Sequence, residues 1–119
     1  MKNFLKNSIL ILSLTLNIAC SSEGTCNSND PKNRDCTYNC KTACSREEAA
    51  GCKYDTSKEC FEHCETIPND SLSCQRAIDA FFICSLDYEF VCTKEGYYEP
   101  VNWDICSQKV NDIHECHET

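Results

Sequence analysis

The sequence predicts an all-α fold: a small disulfide-stapled bundle of about four helices following a polar tether. Three observations carry this expectation. Cysteine supplies 13 of the 119 residues, above the roughly 8–10% that marks a disulfide scaffold. Apolar and cysteine positions recur every three or four residues over much of the chain, which is helical spacing. Only three glycines and three prolines interrupt it.

The first nineteen residues have the layout of an export signal. Lys2 and Lys6 precede the apolar run 9–16, and Ala19 stands as the small residue before a cut. The run is shorter than the 18 or more residues a spanning helix needs. Leu16-Asn17-Ile18-Ala19-Cys20 resembles a bacterial lipobox, followed by Ser21-Ser22. It departs from that motif in carrying Asn17 where the leucine usually stands. The resemblance implies an exported lipoprotein with Cys20 acylated as the first mature residue. With no Asp after Cys20, it implies passage to the outer membrane or cell surface. The alternative is plain secretion, with cleavage after Ser21.

Both routes take Cys20 out of the thiol count and leave twelve cysteines, an even number. An oxidised framework needs that parity and that compartment. Loss of Lys2 and Lys6 leaves 19 acidic residues against 9 basic ones in the mature chain. Such a surface repels nucleic-acid phosphates and anionic headgroups, so no nucleic-acid partner is expected and membrane attachment must come from the acyl chains.

Three parts are expected: a signal over 1–19, a lipid-anchored flexible tether over 20–35, and a helical disulfide-rich domain over 36–119. Cys36, Cys40 and Cys44 fall on one helix face, with Asp35 to cap its start and Gly51 to end it. Thr56-Ser57-Lys58-Glu59 spells a capping box before a short helix carrying Cys60 and Cys64, stopped near Pro68. Asn69-Asp70-Ser71 offers the next cap. A helix then runs from Leu72 to about Cys92, with Ala77, Ile78, Phe81, Phe82 and Leu86 at helical spacing and Lys94-Glu95-Gly96 as its end. Asn102 or Asp104 can cap a last helix bearing Cys106, Val110, Ile113 and His117.

Apolar side chains are unevenly spread. Residues 20–71 hold four large ones (Tyr38, Tyr54, Phe61 and Ile67), and residues 72–119 hold sixteen. Four cannot offset ordering entropy of roughly 1–2 kcal/mol per residue over that half. Disulfides worth about 2–4 kcal/mol each must hold it. The second half is expected to gather a modest core around Phe81, Phe82, Phe90 and Trp103.

Spacing suggests partners. Cys40-x3-Cys44 faces Cys60-x3-Cys64, and Cys74-x9-Cys84 faces Cys106-x9-Cys116. Antiparallel helices can close two bridges only where both intervals are equal, because disulfide Cα atoms lie about 4.4–6.8 Å apart. That suggests Cys40–Cys64, Cys44–Cys60, Cys74–Cys116 and Cys84–Cys106. Of the twelve cysteines left without Cys20, seven precede residue 72 and five follow, so at least one bridge crosses. Cys52–Cys92 would supply it, with Cys26–Cys36 left to pin the tether.

The spacings resemble the twin C-x3-C and C-x9-C helical hairpins of the mitochondrial intermembrane space. The resemblance covers cysteine positions alone and conflicts with the lipobox-like signal. The whole layout looks more like small Cys-rich bacterial lipoproteins, a group with no activity to lend. Helices lined by C-x3-C also resemble copper-storage bundles, in which thiolates bind soft Cu(I). Cys36, Cys40, Cys44, Cys60 and Cys64 could line such a core, with His63, His114 and His117 assisting. The one Met is at position 1.

No C-x2-C occurs, which removes the zinc-knuckle and thioredoxin-like patterns. His114-Glu115-Cys116-His117 looks ligand-like but reads as a frayed helix end. Asn69-Asp70-Ser71 spells a glycosylation acceptor, a three-residue match common by chance. No nucleophile elbow, phosphate loop or His-Glu-x-x-His is present. No catalytic residue, cofactor or metal is therefore assigned, and the expectation is a non-catalytic binding or structural module. Thiol-based copper sequestration is the alternative. Tyr97, Tyr98 and Trp103, near Pro100, are the candidate contacts for a protein partner.

Overall fold

The computed structural model describes residues 26–118. The signal segment and Cys20 lie outside the described residues. Four α-helices dominate: α1 (Tyr38–Ala50), α2 (Ser57–Cys64), α3 (Leu72–Cys84) and α4 (Ser107–Glu118). Between α3 and α4 lies a two-stranded antiparallel hairpin, β1 (Phe90–Cys92) and β2 (Tyr98–Pro100), with Val91 opposite Glu99. Single 3-10 turns occupy Ile67–Asn69, Ser85–Asp87 and Trp103–Cys106. No helix among the described residues is long and apolar enough to cross a membrane.

Local chemistry explains the helix ends. Asp35 Oδ1 accepts from the Thr37 amide and hydroxyl, at 2.9 and 2.7 Å, just ahead of α1. Gly51 closes α1 with φ 65°, the left-handed conformation that only glycine adopts without cost. Helix α2 begins within its capping-box spelling, but Thr56 does not cap it. The Thr56 amide and hydroxyl both donate to Glu47 Oε2 on α1, at 3.0 and 2.6 Å, which ties the two helices together. Ser71 does cap α3, its Oγ accepting from the Cys74 amide at 3.2 Å.

Six disulfides close over this frame. Cys40–Cys64 and Cys44–Cys60 join α1 to α2, with Cα separations of 5.8 and 5.6 Å. Cys74–Cys116 and Cys84–Cys106 join α3 to the segment ending in α4, at 5.3 and 6.0 Å. Cys52–Cys92 crosses between the halves, and Cys26–Cys36 closes the N-terminal turn. These are the partners that the spacing argument names. Residues 26–35, expected within the flexible tether, are held against α3. Arg76 Nε donates to the Cys26 carbonyl at 3.1 Å, and its Nη2 to the Ser28 carbonyl at 3.4 Å.

The buried cluster is built largely from sulfur: Cys26, Cys36, Cys40, Cys44 and Cys64 with Ile67. Phe61, Ile78 and Phe82 pack around it, half-buried.

Two expectations need correction. The helix expected to reach Cys92 stops at Cys84 and tightens into the 3-10 turn Ser85–Asp87, where Ser85 Oγ donates to the Phe82 carbonyl at 2.6 Å, before the chain becomes extended at Tyr88. Tyr88, Phe90 and Cys92 alternate at strand period, and residues 93–97 form a hairpin turn rather than a helix end, with Thr93 N donating to the Tyr97 carbonyl at 2.6 Å. Second, Trp103 is not core; it is 66% exposed. Its short 3-10 turn is fixed by the buried Cys106 and by the Tyr88 hydroxyl donating to the Trp103 carbonyl at 3.0 Å, so the indole itself need not be buried. Residues 114–117 lie at the C-terminal end of α4, as a helix terminus should, and are held by the Cys74–Cys116 bridge.

Candidate functional site

The hairpin brings five aromatic rings into one chain of contacts. Phe90 stacks on Tyr98 at 4.3 Å and 8°. Tyr88 meets Phe90 edge-on at 5.5 Å, Phe81 meets Tyr88 at 6.3 Å, and Phe81 meets Phe82 at 5.2 Å. Such pairs are worth about 0.5–1.5 kcal/mol beyond their burial. Together with Glu47 and Pro100 these rings line an open cleft of about 320 Å³ between α1, α3 and the hairpin. The Arg46 guanidinium lies 5.6 Å from the Phe90 ring centre. Burial raises the Tyr98 hydroxyl above its ordinary pKa, with Arg46 opposing and Glu47 adding to the shift.

The three candidate contact residues do not converge. Tyr97 precedes β2 and points to the far face of the hairpin, stacking on Tyr54 at 4.9 Å. Tyr98 points into the cleft, since successive side chains alternate across a strand. Trp103 stands apart on its 3-10 turn.

A second cleft, of about 380 Å³, lies across Phe81 and Phe82 from the first. Its floor includes Ile67, Ile78 and Ile113, and its rim includes His63, Asp70 and His117. His117 Nε2 sits 3.8 Å from Asp70 Oδ1. The same end of α4 places Cys74, Cys116 and His117 ligand atoms within 4.8 Å of one another, and Cys40, Cys44 and Cys64 cluster likewise. All these sulfurs are bridged. A disulfide offers no thiolate, so neither cluster is a thiolate site while oxidised. Of the histidines considered for metal, His63 and His117 share this cleft, and His114 does not line it.

Sequence reasoning missed one buried acid. Asp79 on α3 is 4% exposed and accepts from Asn39 Nδ2 on α1 at 2.9 Å. Burial raises its pKa, the Asn39 bond opposes this, and Asp35 adds to it. Its partner and place between two helices make it a structural link. Sequence could have pointed to it only through its position one residue after Ile78, within an apolar stretch.

No family model, curated protein or solved structure matches the chain.

Proposed function

We propose that the chain is an exported, surface-exposed module that binds or protects rather than catalyses, anchored to a membrane by acylation of Cys20. The carrying observation is that all twelve cysteines of residues 26–118 close six bridges. That chemistry suits an oxidising space outside the cytoplasm. On this reading the α1–α2 and α3–α4 pairs, in contact through α1 and α3, act as one small bundle. The bundle presents the hairpin and the Trp103 turn to a protein partner at the outer membrane or cell surface. The acidic balance argues against nucleic acid as that partner.

Copper sequestration would need the same sulfurs as thiolates, and their pairing favours the binding reading over it. Intact mass with thiol alkylation separates the two. The exported chain is expected to take no alkyl groups before reduction and one on each of the twelve cysteines afterwards. Readily alkylated thiols with bound copper would overturn the binding reading in favour of storage. Metabolic labelling with palmitate tests Cys20 separately, and an unlabelled mature chain would end the lipoprotein assignment.

A further inference from the structure

Five links fasten the end of α3 to the segment leading into α4. The Cys84–Cys106 bridge spans them. The Tyr88 hydroxyl donates to the Trp103 carbonyl at 3.0 Å, and the Val101 amide to the Glu89 carbonyl at 2.8 Å. Asn102 adds its own pair, accepting from the Glu89 amide at 2.9 Å and donating to the Asp87 carbonyl at 3.3 Å. Residues 83–89 and 101–106 therefore form one cap on the molecule.

That cap is apolar at its surface. Ile83 (49% exposed), Leu86 (48%), Val101 (58%), Trp103 (66%) and Ile105 (49%) all face outward. A scattered exposed Leu is ordinary, but five large apolar side chains on two fastened segments make a patch. The charge within its two segments has one sign. Asp87, Glu89 and Asp104 are exposed within the cap, and no Lys or Arg occurs between Arg76 and Lys94 or between Lys94 and Lys109.

This combination selects among occupants. A second copy meeting through the same surface would offer Asp87, Glu89 and Asp104 no cation within the cap, only further acids, and like charges in a contact cost affinity. An anionic lipid surface is repelled for the same reason. A segment with apolar residues on one face and Lys or Arg beside them satisfies both the patch and its acids. We infer that the cap formed by residues 83–89 and 101–106 docks a cationic amphipathic helix of a partner protein, with Trp103 as its most exposed apolar contact. This rests on the binding reading above and names the chemistry of its partner.

Trp103 is the only tryptophan in the chain, so its fluorescence reports the cap alone. The test titrates the oxidised chain with a roughly four-turn Leu/Lys amphipathic peptide, and with the same peptide carrying Glu for Lys. The Leu/Lys peptide is expected to shift Trp103 emission to the blue, saturably, and more weakly as salt rises; the Glu peptide is expected to leave it unchanged. The double variant Asp87→Asn/Asp104→Asn should weaken binding about tenfold at low salt. Glu59→Gln/Glu62→Gln, the same charge change on exposed sites of α2, should leave it as it was. Leu86→Ser should weaken it without altering the melting curve, since that side chain is already exposed. Equal weakening by the two charge pairs would overturn the docking site, leaving only diffuse attraction between opposite charges. So would a blue shift with phosphatidylcholine vesicles alone, or sedimentation as a dimer at micromolar concentration. Alkylation of the same sample reports the bridges independently. Lost peptide binding with six bridges intact defeats this inference alone, and free thiols defeat the reading beneath it.

Discussion

The two halves of the chain hold themselves together by different means. Between Cys26 and Ile67 the buried atoms belong largely to cystine, with Cys44 and Cys64 fully out of solvent and Ile67 the one large apolar side chain buried among these residues. Beyond Leu72 large apolar residues are plentiful, yet Ile83, Leu86, Val101, Trp103 and Ile105 stand about half exposed or more. Covalent closure explains how both can be true. A bridge lowers the entropy of the unfolded chain whatever surrounds it. The second half then need not bury every apolar group it owns, and those left outside are available for recognition.

Two bridges of nearly equal span give the sharpest test. Cys40–Cys64 encloses a separation of 24 and Cys84–Cys106 one of 22, so chain entropy assigns each at most about 3.5 kcal/mol, the value for a lone bridge, since each is nested with another. Any difference beyond that measures what else the sulfurs do. Cys40 and Cys64 belong to the buried cluster of the first half, where few apolar neighbours could fill the space. Cys40→Ala/Cys64→Ala is therefore expected to cost clearly more than that figure in denaturant unfolding, and to lose helical circular dichroism from α1 and α2. Cys84→Ala/Cys106→Ala also empties one fully buried position, Cys106, but keeps the ring ladder from Phe81 to Tyr98, so its cost should exceed the entropy value by less than that of Cys40→Ala/Cys64→Ala. Equal losses would break the contrast between a sulfur core and an aromatic one.

The parts of the fold that could be read beforehand are those with a strict interval. Equal spacing names the helix-hairpin bridges, because two bridges between rigid antiparallel segments admit no other register. Gly51 is readable for the same kind of reason, a single residue meeting a single backbone demand. The hairpin is not. Its strands are three residues each, too short for an alternating pattern to outweigh the helical spacing that begins at Leu72. Trp103 was misplaced because side-chain size argues for burial, while its backbone is held by Tyr88, Asn102 and Cys106, contacts distant in sequence. Thr56 spells a local cap, but Glu47 takes its amide and hydroxyl, and nothing within the four residues 56–59 announces that.

The junction between the halves offers a second, smaller effect. Gly96 in the hairpin turn has φ 106°, and a Cβ there would lie 2.7 Å from Lys53 Cβ. The Tyr54 amide also donates to the Gly96 carbonyl at 2.9 Å, beside the Cys52–Cys92 bridge. Gly96→Ala is expected to cost about 2–3 kcal/mol through strain and the forced separation of the two segments. Gly51→Ala meets nothing within 4 Å and should cost about 1 kcal/mol from its left-handed backbone alone. Thermal melts of the two variants rank a seam between halves against an ordinary helix end. The reverse order would mean that the hairpin is only loosely held to the first half.

The smallest effect concerns Asp79, which links the halves through Asn39. Burial raises its pKa above the ordinary 3.8, so the native chain keeps this proton to higher pH than the unfolded chain does. Stability from this group is therefore greatest below that value and declines as pH rises through the folded pKa. Asp35 works with the opposite sign. Partial burial would raise it, but hydrogen bonds from Thr37 win and hold it below 3.8, so its contribution is present above that range and fades as pH falls. Asp79→Asn keeps an acceptor for Asn39 and removes the buried charge. Its melting temperature should exceed that of the parent chain at pH 7, and the gap should close toward pH 4. A constant gap would show that the carboxylate is charged at no cost. The contact between α1 and α3 would then be wetter than its 4% exposure implies, and the two halves would meet through solvent rather than through a shared interior.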